Sequence, residues 1–147
     1  MTSYSYIYDE LKDRITDYDL VAYSEGLQEE LLASYLRQAC RKFSRICTND
    51  LSAVAYDGEG VAVGFEADLT PEEIDIIVEW MVVMWLTPLR NDLDNLRNRI
   101  NTAEFSSISP ANMQIAIEAS YEASRKRALS LMNKYSYIEG DFKQLVT

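Results

Sequence analysis

Hydrophobic positions recur at three- and four-residue spacings over most of the chain and switch to a spacing of two over one short stretch before its middle. Tyr4, Ile7, Tyr8, Leu11 and Ile15 describe one helical stripe and predict a short first helix. After a connecting stretch, Ser24 offers a cap for a second helix through residues 25–46. Its inner side would carry Leu27, Leu31, Leu32, Tyr35, Leu36, Ala39, Cys40, Phe43 and Cys47. From 52 to 66 the sequence SAVAYDGEGVAVGFE alternates around the turn signal DGEG, which predicts a hairpin pairing Tyr56 with Val61 and Val54 with Val63. Two strands alone are marginal in water, so the hairpin either folds back on its own helices or reaches a neighbouring subunit.

A third helix opens with Thr70 as N-cap, Pro71 at the first helical position and Glu73 closing a capping box. Glu72, Glu73 and Asp75 also sit where the helix dipole favours negative charge, which explains them better than a pair of catalytic carboxylates does. From Ile74 to Leu86 the helix is apolar on nearly every side, and a helix apolar all round is covered all round. Sibling helices can enclose two sides, and the third face of such a helix often needs another chain. Pro88 removes a backbone hydrogen bond, so the helix is expected to kink or stop near Thr87. Helical spacing resumes through Leu89, Leu93, Leu96 and Ile100. A loop from residue 102 leads to a last helix started by Ser109 and Pro110, with Met113, Ile117, Tyr121, Ala128 and Leu131 or Met132 facing inward. The pattern predicts a mainly α single domain over residues 1–147. It is a helical bundle of four to five helices with a long central helix, kinked or divided at Pro88, one β-hairpin arm at 52–66 and a C-terminal tail at 136–147.

Composition narrows the class. With 48% apolar and 26% charged residues the chain is globular. The start MTSYSYIYDELKDR has neither a basic segment nor an apolar stretch, so a cytosolic location is expected. The longest apolar run, IDIIVEWMVVMWL, is too short to cross a bilayer, and no membrane association is expected. A net charge of −10 argues against tight binding of nucleic acid, yet suits a wall past which phosphate must slide.

Candidate chemistry is sparse. The chain has no histidine, the commonest general base and metal ligand. Its five glycines form no phosphate loop, and GEGVAVG lacks the necessary lysine. The Ser124 stretch has Arg127 where an SxxK motif needs lysine. Cys40 and Cys47, about 10 Å apart along one helix, are too far apart for a disulfide and read as small core residues. No catalytic activity, cofactor or metal is therefore expected.

Surface features suggest partners instead. Arg37, Arg41 and Arg45 recur every fourth residue as a ridge reinforced by Lys42, and Arg125, Lys126 and Arg127 form a second cluster. These are either solvated faces or contacts to the acidic stretch 66–79 of a neighbour. With the hairpin residues Tyr56, Val61, Val63 and Phe65, and with Trp80, the three arginines are the candidate subunit interface. Ten tyrosines, clustered at both chain ends, suit interface anchoring.

The stretches LTPEEIDIIVEWMVVMWLTPLRNDLDNLRNRI, FSSISPANM and RKRALSLMNKYSYIEGDF, in that order, resemble the head-tail connector, or neck adaptor, proteins of tailed bacteriophages. The resemblance covers about two thirds of the chain. It implies a mostly helical structural protein of the virion neck, present in the host cytoplasm during assembly. Such a protein forms a homo-oligomeric ring, usually twelvefold, beneath the portal protein, with a head-closure or tail protein below and double-stranded DNA only as passing cargo. It also implies that Tyr135, Tyr137, Ile138, Phe142, Leu145 and Val146 belong to a portal-binding tail. The alternatives are a head-closure or tail-terminator component, for which a mixed β-barrel would be expected, and a small dimeric cytosolic binding module.

Overall fold

The computed structural model describes residues 1–17, 29–91 and 110–146. Among them are four helices and a three-stranded antiparallel sheet, a mainly α fold with a β arm. The order is β1 (Thr2–Ser3), α1 (Tyr4–Asp17), α2 (Glu29–Phe43), β2 (Val54–Tyr56), β3 (Ala62–Phe65), α3 (Pro71–Asn91) and α4 (Pro110–Val146). The expected Ser24 cap, the inward Leu27, the helical reading of 92–100 and the loop at 102–109 lie outside the described residues.

The third helix is the axis of the fold. Thr70 and Glu73 form the capping box: the Thr70 N–H donates to Glu73 Oε1 at 2.8 Å and the Glu73 N–H to Thr70 Oγ1 at 3.2 Å. From Ile76 to Val83 every residue is buried, with Trp85, Leu86 and Leu89 beyond. The three other helices pack on α3, so the cover comes from one subunit and no second chain is needed for the third side. This corrects the expectation for the apolar run.

Pro88 lies within α3 and does not end it. The Thr87 hydroxyl donates to the Val83 carbonyl at 2.7 Å, engaging the backbone one turn back where the proline weakens it. Buried residues on both sides of the proline, Leu86 and Leu89, outweigh the lost hydrogen bond.

The first helix buries Ile7, Leu11 and Ile15, as its stripe indicates. The second ends at Phe43, so Cys47 and Arg45 lie past its end rather than on it, and Leu31 is 37% exposed rather than inward. The fourth helix buries Ile117, Ala128 and Tyr135 and runs on to Val146, so the stretch expected to be a tail continues the helix.

The hairpin forms with a different register. Val54 pairs with Phe65 and Tyr56 with Ala62, and an irregularity between Ala55 and Tyr56 absorbs the offset around Val63. Its turn uses Gly60 at a φ of 80°, a left-handed conformation that favours glycine. The hairpin also gains a third strand: Thr2 pairs with Phe65 and Ser3 with Gly64. A side-chain carbon at 64 would collide with the Thr2 carbonyl, so the pairing depends on that glycine. Phe65 is buried edge-to-face against Tyr4, 5.2 Å between centroids, which fastens the sheet to its own helices.

Candidate interaction surfaces and buried polar clusters

Two carboxylates of α3 are fully buried, and each ties helices together. Glu73 receives Asn49 Nδ2 at 2.7 Å, the Cys47 thiol at 3.0 Å and the Tyr135 hydroxyl at 2.9 Å, besides its capping contact. Tyr135 also accepts the Thr48 N–H at 2.9 Å and stacks edge-to-face on Phe43. The cluster thereby joins the start of α3, the segment after α2 and the middle of α4.

Its electrostatics favour structure over chemistry. Burial alone would raise the Glu73 pKa, but the donors from Thr70, Cys47, Asn49 and Tyr135 outweigh it and hold the carboxyl below its ordinary value. Burial, with the bond to Glu73, pushes the Cys47 thiol up to about 12, and burial pushes Tyr135 to about 12. Such a thiol is not a nucleophile near neutrality. Cys40 is likewise raised to about 12 by burial.

Glu79 accepts Arg14 Nη1 at 2.6 Å, with Arg127 Nε at 3.7 Å, while Arg14 Nη2 reaches Asp75 at 3.1 Å. This cluster joins α1, α3 and α4. Near the other end, Arg90 pairs with Glu118 at 2.6 Å and covers the Tyr121 ring at 4.4 Å. Among the described residues no buried polar side-chain atom lacks a partner, and no group of three or more metal-type ligands occurs. No helix among them is long and apolar enough to cross a membrane.

The structure separates the candidate interface residues. Arg37, Arg41 and Arg45 are exposed, as are Tyr56 at 64% and Val61 at 56%. Val63 is half-buried, and Phe65 and Trp80 are core residues. Trp80 Nε1 donates to the Met132 sulfur at 2.8 Å and its ring lies 5.6 Å from Lys42 Nζ, so its partners are within the subunit. Tyr135, assigned to the tail by resemblance, is the buried centre of the Glu73 cluster, because its hydroxyl reaches three polar partners inside the fold. Tyr137 and Ile138 are 71% and 58% exposed. Phe142, Leu145 and Val146 lie on the same helix, with side chains outside those described.

Among the described residues, two surface clefts bear on binding. The larger, about 850 Å³, lies between α1, α2 and the sheet and includes Tyr4, Tyr8, Leu36, Arg37, Cys40 and Val61. The smaller, about 500 Å³, lies between α2, α3 and α4 over Trp80, Val83 and Met84. Its charged lining residues are Arg41, Lys42 and Arg125, with no carboxylate among the lining.

Charge is strongly segregated. No lysine or arginine occurs between Arg45 and Arg90, and that stretch exposes Asp50, Asp57, Glu59, Glu66, Asp68 and Glu72. The segregation is legible in the sequence, although single motifs do not reveal it. Compared with protein-family models, curated proteins and solved structures, the chain matches none.

Proposed function

We propose that this protein is a structural subunit of a bacteriophage neck: a head-tail adaptor that assembles in several copies below the portal and lines the DNA passage. The observation that carries the reading is the course of α4. Tyr135 fixes this helix to the body, and the helix then continues to Val146, with Tyr137 and Ile138 exposed just past the anchor. That continuation amounts to about 16 Å of helix at 1.5 Å per residue, enough to engage a groove on a partner.

Two further features support it. The apolar α3 is covered by the other helices of its own subunit, which suits copies that fold separately and join through their surfaces. The net charge of −10 disfavours retention of passing DNA. The helical architecture also favours an adaptor over a head-closure or tail-terminator component, for which a β-barrel was expected.

The test is co-sedimentation with assembled portal rings of the same phage. Wild type should pellet with the rings, whereas a chain lacking residues 136–147, or one carrying Tyr137→Glu and Ile138→Glu, should fold but remain in the supernatant. Pelleting of both folded variants with the rings would overturn the assignment of the helix end.

A further inference from the structure

We infer that copies of this chain associate head to tail, with the hairpin turn of one copy seated in the three-cation cleft between α2, α3 and α4 of the next. The inference deepens the ring proposed above and rests on that reading for closure. The contact itself requires only the two surfaces.

The turn is built as a rigid, mixed apolar and acidic knob. Asp57 Oδ1 accepts the Glu59 N–H at 2.8 Å and the Val61 N–H at 3.0 Å, while the Asp57 carbonyl accepts the Gly60 N–H at 3.1 Å. These bonds use Asp57 to hold the loop and leave Glu59 at its tip, flanked by the exposed Tyr56 and Val61. A preorganised loop loses little entropy on docking.

The cleft has the complementary character. Arg41, Lys42 and Arg125 line its wall, and Met84 and Leu129 provide apolar surface over the buried Val83. Arg41 and Lys42 are in no ion pair among the described residues, and Arg125 has only Glu122, at 3.7 Å. In a chain with ten more carboxylates than cations, three cations around one cleft call for an anionic occupant with an apolar anchor. The chain itself supplies that combination at Tyr56, Glu59 and Val61. The larger cleft is the poorer receptor, because it contains Glu29 and is already bordered by Val61 of the same molecule. Since knob and cleft are different surfaces, the contact is heterologous and propagates into a closed ring or an open filament.

The experiment is sedimentation velocity of the full chain at low and high salt, across concentration. Wild type should self-associate at low salt and dissociate as salt screens the contact. A cleft variant, Arg41→Glu with Arg125→Glu, and a knob variant, Tyr56→Ser with Glu59→Lys, should each be monomeric. An equimolar mixture should give a one-to-one pair that grows no further, since only one intact knob and one intact cleft face each other.

The single exchanges Arg41→Glu and Glu59→Lys repeat the test with less disturbance of folding. Each should weaken association about tenfold, and a chain carrying both should recover most of it. Wild type that remains monomeric up to its solubility limit, a variant that associates like wild type, or a mixture that stays monomeric would overturn the inference. Portal attachment in the face of that result would leave the adaptor reading standing. Self-association without portal attachment would do the reverse.

Discussion

The Tyr135 hydroxyl donates to the Glu73 carboxylate at 2.9 Å, linking the fourth helix to the capping box that starts the third. The same carboxylate thus finishes a helix end and fixes the element whose continuation reaches Val146. Removing the hydroxyl with Tyr135→Phe leaves Glu73 one donor short in a buried site. That change should cost about 1–3 kcal/mol, read as a lower midpoint in urea. An unchanged midpoint would show that the cluster contributes nothing net.

The cluster also sets how stability depends on pH. Glu73 has a depressed folded pKa, so its contribution is present above the unfolded value and is lost as pH falls through the folded one. Cys47 and Tyr135 are raised to about 12, so their contribution is present below their ordinary values and is lost as pH rises toward 12. Melting temperature should therefore fall on both the acid and the alkaline side. The acid slope should flatten in Glu73→Gln. For the same reason, alkylation of Cys40 and Cys47 at pH 8 should be much slower in the folded chain than in urea.

Arg14 should be indispensable to Glu79. Arg14→Met removes the nearer of the two cations paired with a fully buried carboxylate, the other being Arg127 at 3.7 Å, and should cost about 3–5 kcal/mol by chemical denaturation. Adding Glu79→Leu should restore most of the loss, since a buried pair exchanged for apolar residues of similar volume is often neutral. Failure of the second change to rescue would indicate that the pair contributes more than it costs to bury.

Trp80→Ala and Trp85→Ala should each cost about 3–5 kcal/mol, because both rings lie in the core of one subunit. Stability at the wild-type level in either variant would show that the ring is not packed there.

Gly64→Ala should release β1, since the added carbon meets the Thr2 carbonyl. A loss of about 1–3 kcal/mol is expected, with hydrogen exchange rising in β1 at Thr2 and Ser3. Unaltered protection would mean that the strand accommodates the methyl group.

Local chemistry was the readable part of the sequence. Thr70, Pro71 and Glu73 announce a helix start within four positions, and the hairpin turn is marked by DGEG. What depends on distant partners was not readable. The Arg14 and Glu79 pair and the Glu73 and Tyr135 pair join residues more than sixty positions apart, and no spacing rule relates them. The hairpin register differs because an irregularity between Ala55 and Tyr56 skips Val63, and alternation around the turn does not reveal such an offset. At Pro88 the sequence leaves a kink or a stop open, and the helix continues because packing of Leu86 and Leu89 outweighs the local penalty. Among the candidate interface residues, exposure separated Tyr56 and Val61 from Phe65 and Trp80, a distinction that alternation along a strand or helix cannot make.

The central claim is that copies of a self-contained helical subunit gather on a portal. Its most direct test is the mass of the purified chain by light scattering, first alone and then mixed with portal rings of the same phage. The account expects a folded chain that joins each ring in many copies, giving a single complex of fixed stoichiometry. A chain that remains separate from the rings at every ratio would contradict it.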